Sequence, residues 1–224
     1  MSDDNRIQNS IDDQPKAMLS AIEARILGTL MEKQLTTPDQ YPLTLNSLVT
    51  GCNQKTSREP VSNYSKGDIE HCVNKLRERK LLEVEYGSRA SRFDQRLTRT
   101  LFLDKPAQAL LTIMLLRGPQ TINELLNRTD RMTRFESPAV VQDILTTLCQ
   151  KTSPVIVHIP RQSGQREDRY MHLLCGKPDL SVWLSSATSD AATGENSNSD
   201  LMARVEELER QLAKIINHLG LNGE

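Results

Sequence analysis

The chain lacks most of the features that announce a chemistry. Cysteine is scarce and scattered: Cys52, Cys72, Cys149 and Cys175 stand far apart, no Cys-x-x-Cys pair occurs, and no close histidine spacing completes a zinc set. Free, mostly buried thiols are expected, and neither a metal nor a cofactor is. No apolar run approaches the roughly 20 residues a bilayer crossing needs. The N-terminus carries Asp3, Asp4, Asp12 and Asp13 and lacks the basic-then-apolar pattern of a signal peptide. The cytoplasm is the expected compartment, with no membrane partner. Glycine-rich phosphate cradles and Gly-x-Ser-x-Gly are missing as well. Aromatic residues are sparse, at 4% of 224 positions. A strong charge of one sign is also absent. The net charge is -1, but residues 18–100 sum to +3 and residues 101–180 to +2, masked by acidic ends. That mild excess does not by itself establish nucleic-acid binding.

What is present is a repeated order of elements. Leu19, Ile22, Ile26, Leu27 and Leu30 recur at helical spacing over residues 19–34, with Ser20 near the start. Two prolines make residues 36–42 a loop, and Thr44 caps a short helix that Gly51 is expected to stop. Ser65 caps a third helix whose apolar face is Ile69, Cys72, Val73 and Leu76, with the stem of Lys80 beyond. Residues 81–86 and 92–97 then alternate about Gly87 and Ser88 as a hairpin. The order returns further on: helices at 107–116, 121–128 and 137–150, the last opened by Ser137 and Pro138, then a hairpin from 155–160 and 169–174.

Three helices and a hairpin, twice, predict a mainly α (α+β) fold of two tandem winged-helix domains. The expected boundaries are an acidic disordered leader at 1–17, domain one at 18–100, domain two at 101–182 and a flexible linker at 183–200. A heptad-patterned helix follows at 201–220, with its seam at Leu201, Val205, Leu208, Leu212, Ile215 and Leu219.

Long strings carry a family likeness. Glu32-Lys33-Gln34, Thr36-Thr37-Pro38-Asp39-Gln40-Tyr41-Pro42-Leu43-Thr44-Leu45-Asn46 and Cys52-Asn53-Gln54-Lys55 resemble the bacterial YceH-like family. So do Leu116-Arg117-Gly118-Pro119-Gln120-Thr121, Glu124-Leu125, Arg128, Arg131-Met132, Phe135 and Arg169-Tyr170-Met171-His172-Leu173-Leu174. The likeness spans about residues 19–175. It implies two winged-helix domains and supplies no catalytic residues, so fold alone does not yield function.

Base readout by a helix-turn-helix needs Arg, Lys, Asn or Gln on the second helix of the motif. The outer face of helix 65–80 instead reads Asp68, Glu70, His71, Asn74, Lys75 and Glu78, with two acids at its leading end. Helix 137–150 shows Gln142, Asp143, Thr146 and Thr147. Cations gather in loops and hairpins, giving candidate nucleic-acid or partner contacts at Lys55, Arg58, Arg89, Arg92, Arg96, Arg128, Arg131, Arg134, Arg161 and Arg166. Asn53 and Gln54 join them, in an amide-rich loop that serves either as a hydrogen-bond lock or as a contact surface. His71 beside Cys72 is no catalytic pair, because helix neighbours diverge by about 100°. His158 and His172 sit on hairpin strands without a third ligand.

No enzyme is expected. Two readings stand open: a DNA-associated regulator or accessory factor gripping phosphates of duplex DNA through wing and loop arginines, or a protein-interaction module, with a homodimer formed through the C-terminal helix.

Overall fold

Each helix start is written by a local hydrogen bond. Ser20 accepts from the amide of Glu23 while the Glu23 carboxylate accepts from that of Ser20 (2.7 Å), a reciprocal cap that opens α1, Ala21–Thr36. Thr44 opens α2, Leu45–Cys52, and Ser65 opens α3, Lys66–Glu78. Asp104 opens α5, Lys105–Arg117; Thr121 opens α6, Ile122–Thr129; Ser137 opens α7, Pro138–Cys149. The computed structural model describes residues 18–87, 90–161 and 165–177. The leader, the linker and the heptad segment expected at 1–17, 183–200 and 201–220 lie outside the described residues.

The described chain is mixed α/β, with small antiparallel sheets beside the helices. β1 (Leu43–Thr44), β2 (Leu82–Tyr86) and β3 (Ser91–Gln95) form one sheet in the order β1-β3-β2, with Leu43 opposite Phe93 and Val84 opposite the same residue. β4 (Ile156–Ile159) and β5 (Arg169–His172) form the other, with His158 opposite Tyr170 and Ile156 opposite His172. Gln120 and Tyr170 exchange backbone bonds of 2.9 and 2.7 Å beside β5. That bridge repeats the place of β1 beside β3, so the second half reproduces the pairing of the first. No described helix is long and apolar enough to cross a membrane.

Three details differ from the sequence expectation. Gly51 does not stop α2. The helix runs on to Cys52, and the glycine instead admits α1, since a Cβ there would sit 2.7 Å from Thr29 Cγ2. α3 ends at Glu78, short of Lys80, which adopts φ 58° while the Leu81 amide reaches back to the Leu76 carbonyl at 2.9 Å. This is a Schellman closure with lysine where glycine is usual. The second strand ends at Gln95 rather than at residue 97. The Gln95 side chain accepts from the Thr98 amide (3.0 Å) and turns the chain into α4, Leu97–Thr100. His158 and His172 do not face each other across the hairpin: His172 is buried opposite Ile156, and His158 is exposed opposite Tyr170.

The core runs through both halves. From Glu23 to Met31 every residue of α1 is buried, and from Ala107 to Leu116 every residue of α5 is. A helix covered on all sides is interior. The two meet where Gly28 has no side chain: a Cβ there would lie 3.0 Å from Leu115 Cβ and 3.0 Å from Leu116 Cδ2. Polar links cross the same contact, Gln34 Oε1 accepting from both Gln95 (2.8 Å) and Gln108 (2.9 Å). Gly28→Val forces the helices apart and is expected to cost about 1–3 kcal/mol. The midpoint of urea unfolding checks it, and an unchanged midpoint would mean that this contact does not bear on stability.

His172 supplies a pH dependence. Its Nδ1 is buried without a hydrogen-bond partner, and burial pulls its pKa from 6.5 down to about 4. Between those values the unfolded chain holds a proton that the folded chain refuses. Stability is therefore full above pH 6.5 and falls as pH drops toward 4, by about 3 kcal/mol at most. In urea unfolding at pH 7, 5.5 and 4.5, His172→Leu is expected to show a shallower acid loss than the natural chain. Equal slopes would refute the assignment.

Candidate nucleic-acid interface

Two grooves occupy the same place in the two halves, each between the third helix and the hairpin that follows it. The first lies between α3 and β2–β3, has a volume of about 360 Å³ and is bounded by the start of α2. At the head of α3, Asp68 accepts from the hydroxyl (2.6 Å) and the amide (3.2 Å) of Ser65. Those bonds hold its carboxyl below the ordinary value and spend its charge on the positive end of the helix. Asp68 is thus an exposed cap whose charge faces the positive end of the helix, and Glu70 is the acid of that end that lines the groove. The stripe lining the groove is Lys66, Glu70, Asn74 and Arg77, at steps of four, four and three. Asn46 of α2 adds an amide. Arg77 donates to the Tyr86 hydroxyl at 3.3 Å. On β3, exposed Arg92 gives one N–H to the Pro42 carbonyl (2.8 Å) and keeps the rest of its fork for solvent.

The second groove, about 660 Å³, lies between α7 and β4–β5. Its helix stripe is Gln142, Thr146 and Gln150, without charge. Gln142 donates to the Tyr170 hydroxyl (2.9 Å), and the His158 ring tilts over that of Tyr170 at 5.1 Å. Asp168 binds the Arg161 amide (2.9 Å) and His158 Nε2 (2.7 Å), contacts that hold its carboxyl below the usual range. Arg161 and Arg166 stand at the mouth.

The remaining candidates divide into spent and available groups. Arg58 is buried and makes five bonds: to the carbonyls of Gly51 (3.0 Å) and Ser57 (2.8 Å), to both oxygens of Glu32 (2.7 and 3.2 Å) and to Gln54 (2.8 Å). It is not a surface group, contrary to its place among the sequence candidates. Asn53 exchanges two 2.8 Å bonds with the backbone of Tyr64. The amide loop is therefore largely consumed inside the fold. Arg96 is held by Glu83 and Asp94, Arg128 by Gln120 with Glu124 and Glu59 nearby, and Arg134 by Asp130. Lys55 and Arg131 are exposed and have no side-chain partner among the described residues. Arg89 lies outside the described residues. The sequence reading passed over Lys66 and Arg77. Their signal was positional: residues 66, 70, 74 and 77 fall on one helical stripe beside the hairpin.

Comparison with known proteins agrees with the resemblance read from the motifs. Residues 19–165 match the family model described as "Protein of unknown function, DUF480". A "UPF0502 protein" of Cellvibrio japonicus (strain Ueda107) is 58% identical over 198 residues, 88% of this chain and 91% of that one. Another of the same name from Cronobacter sakazakii (strain ATCC BAA-894) is 41% identical over 219 residues, 92% of this chain and 99% of the relative. With most of the folded region matched and relatives aligned over nearly their whole length, the chain belongs to the DUF480, or UPF0502, family of YceH-like bacterial proteins.

Proposed function

We propose that each half is a winged helix and that the protein is a DNA-associated factor that docks duplex DNA on its first groove. The observation carrying this reading is the stripe of Lys66, Asn74 and Arg77 on α3, lining a groove against β2–β3, with exposed Arg92 on β3 outside that lining. Lysine and arginine neutralise phosphates, while asparagine at mid-helix suits a base edge in the major groove. Glu70 in the same stripe opposes phosphate and favours a cytosine amino group instead. The reading is of a binding protein rather than an enzyme, acting where DNA lies, in the cytoplasm. Lys55 and Arg131 are further phosphate contacts in it.

A second reading is a protein-interaction platform. It is favoured by two exposed aromatic side chains: Tyr86, 77% exposed at the hairpin, and Phe102, 89% exposed with φ 52° between the halves. A homodimer through the heptad segment belongs to that reading.

Fluorescence anisotropy of a labelled random duplex, titrated with the full chain at 50 and 150 mM salt, separates them. Salt-sensitive binding is expected. The double variant Lys66→Ala/Arg77→Ala should weaken it about tenfold and reduce the salt slope by about 1–2. Absence of binding at 50 mM salt, or indifference to both substitutions, overturns the DNA reading and leaves the platform.

A further inference from the structure

We propose that the second groove binds a nucleoside monophosphate unit, free or at the end of a strand, with its phosphate on Arg161 and Arg166 and its base along Gln142 and Gln150. This goes beyond the duplex docking assigned to the first groove and uses none of the same side chains.

The chemistry of the groove is lopsided. Its carboxylates are occupied. Asp168 accepts from the Arg161 amide at one oxygen and pairs with His158 at the other, and Glu167 accepts from Asn123 at 2.5 Å. Asp168 is within electrostatic reach of Arg161, but neither carboxylate forms a direct ion pair with a groove guanidinium among the described residues. The Arg161 fork makes one bond, to the Arg166 carbonyl (3.3 Å), and the Arg166 fork makes none among the described residues. Two exposed guanidiniums without an ion pair among the described residues line one groove. A phosphate dianion matches their planar forks with paired hydrogen bonds.

The interior suits the remainder of such a ligand. A volume of about 660 Å³ lies within the range of about 300–1,000 Å³ usual for small-molecule sites. Gln142 spends its amide nitrogen on Tyr170 and keeps its carbonyl oxygen. Gln150 keeps both ends of its amide, having no side-chain partner among the described residues. Primary amides pair with the donor and acceptor edges of bases. The tilted rings of His158 and Tyr170 give a wall against which a planar base can lie. A duplex is a poorer occupant, because this helix stripe has no cation to meet phosphate.

The test is calorimetric titration of the full chain with AMP, GMP, CMP, UMP, inorganic phosphate and a 5′-phosphorylated trinucleotide. At least one nucleotide is expected to bind, more tightly than inorganic phosphate. Arg161→Ala/Arg166→Ala should weaken it at least tenfold, and Gln150→Ala should change the ranking of the four bases. Lys66→Ala/Arg77→Ala should leave nucleotide affinity unchanged, so loss of the duplex reading leaves this one standing. Preference for the trinucleotide, still lost in the arginine double variant, assigns the unit to a strand end; preference for the monomer assigns it to free nucleotide. The substituted side chains are peripheral, and unchanged thermal unfolding verifies that each variant folds. No binding of any nucleotide at millimolar concentration overturns the proposal. So does binding indifferent to Arg161 and Arg166, or phosphate binding as tight as the nucleotides.

Discussion

The contact of α1 with α5 is the constraint on which the rest depends. Each half, taken alone, is of the size at which a domain buries only about 60% of its unfolded surface and is marginally stable. Here the first helix of each half is covered on every side, because each serves as a core element for the other. A bare backbone at Gly28 allows the approach, and Gln34, Gln95 and Gln108 satisfy one another's amides beside it. Ordinary amphipathic helices in those two positions would bury their polar faces at the seam. The backbone bonds from Leu19 to the Leu174 carbonyl and from Glu59 to the Leu116 carbonyl close the same seam from other points.

A second theme is the fate of the arginines. Counting cations by loop makes the molecule look studded with anion sites, but several are interior fasteners. Arg25 is buried with no carboxylate partner, its guanidinium donating to the carbonyls of Cys52 (3.2 Å) and Pro60 (2.8 Å) and to Ser62 (3.1 Å). Burial pulls its pKa down, and the loop it organises leads into α3. Arg58 does the same work with Glu32. Removing one partner of such a buried ion pair typically costs about 3–5 kcal/mol, whereas exposed pairs such as Arg134 with Asp130 contribute about 0–1. The arginines that hold the fold are thus distinguishable from those left exposed at the surface.

Helix starts were legible in the sequence because capping is local: Ser20, Thr44, Ser65, Thr121 and Ser137 each do what their side chains predict. The hairpin strands and the repeat of elements were legible from alternation and order. What failed to show was anything decided across the chain. Gly51 reads as a stop until α1 is known to lie against it. Arg58 reads as a surface cation because its acceptor, Glu32, is 26 residues away. Asp68 is the instructive exception. Its capping role was local and predictable from the spacing to Ser65, yet counting acids on a face hid it.

The two grooves show how one topology holds two chemistries. A helix lying beside a hairpin fixes where groove-facing positions fall, on residues 66, 70, 74 and 77 in one half and 142, 146 and 150 in the other. In the first half the charges ride on the helix, where a rigid rod carries them to a ligand as long as itself. In the second the groove-lining helix stripe is uncharged and the cations, Arg161 and Arg166, belong to the hairpin side. On the proposed readings, charge spread along a helix suits an extended polyanion, and charge on one side of a neutral amide stripe suits a small ligand with a single anionic end. The distinction rests on placement of cations rather than on their number, which is nearly the same in both halves.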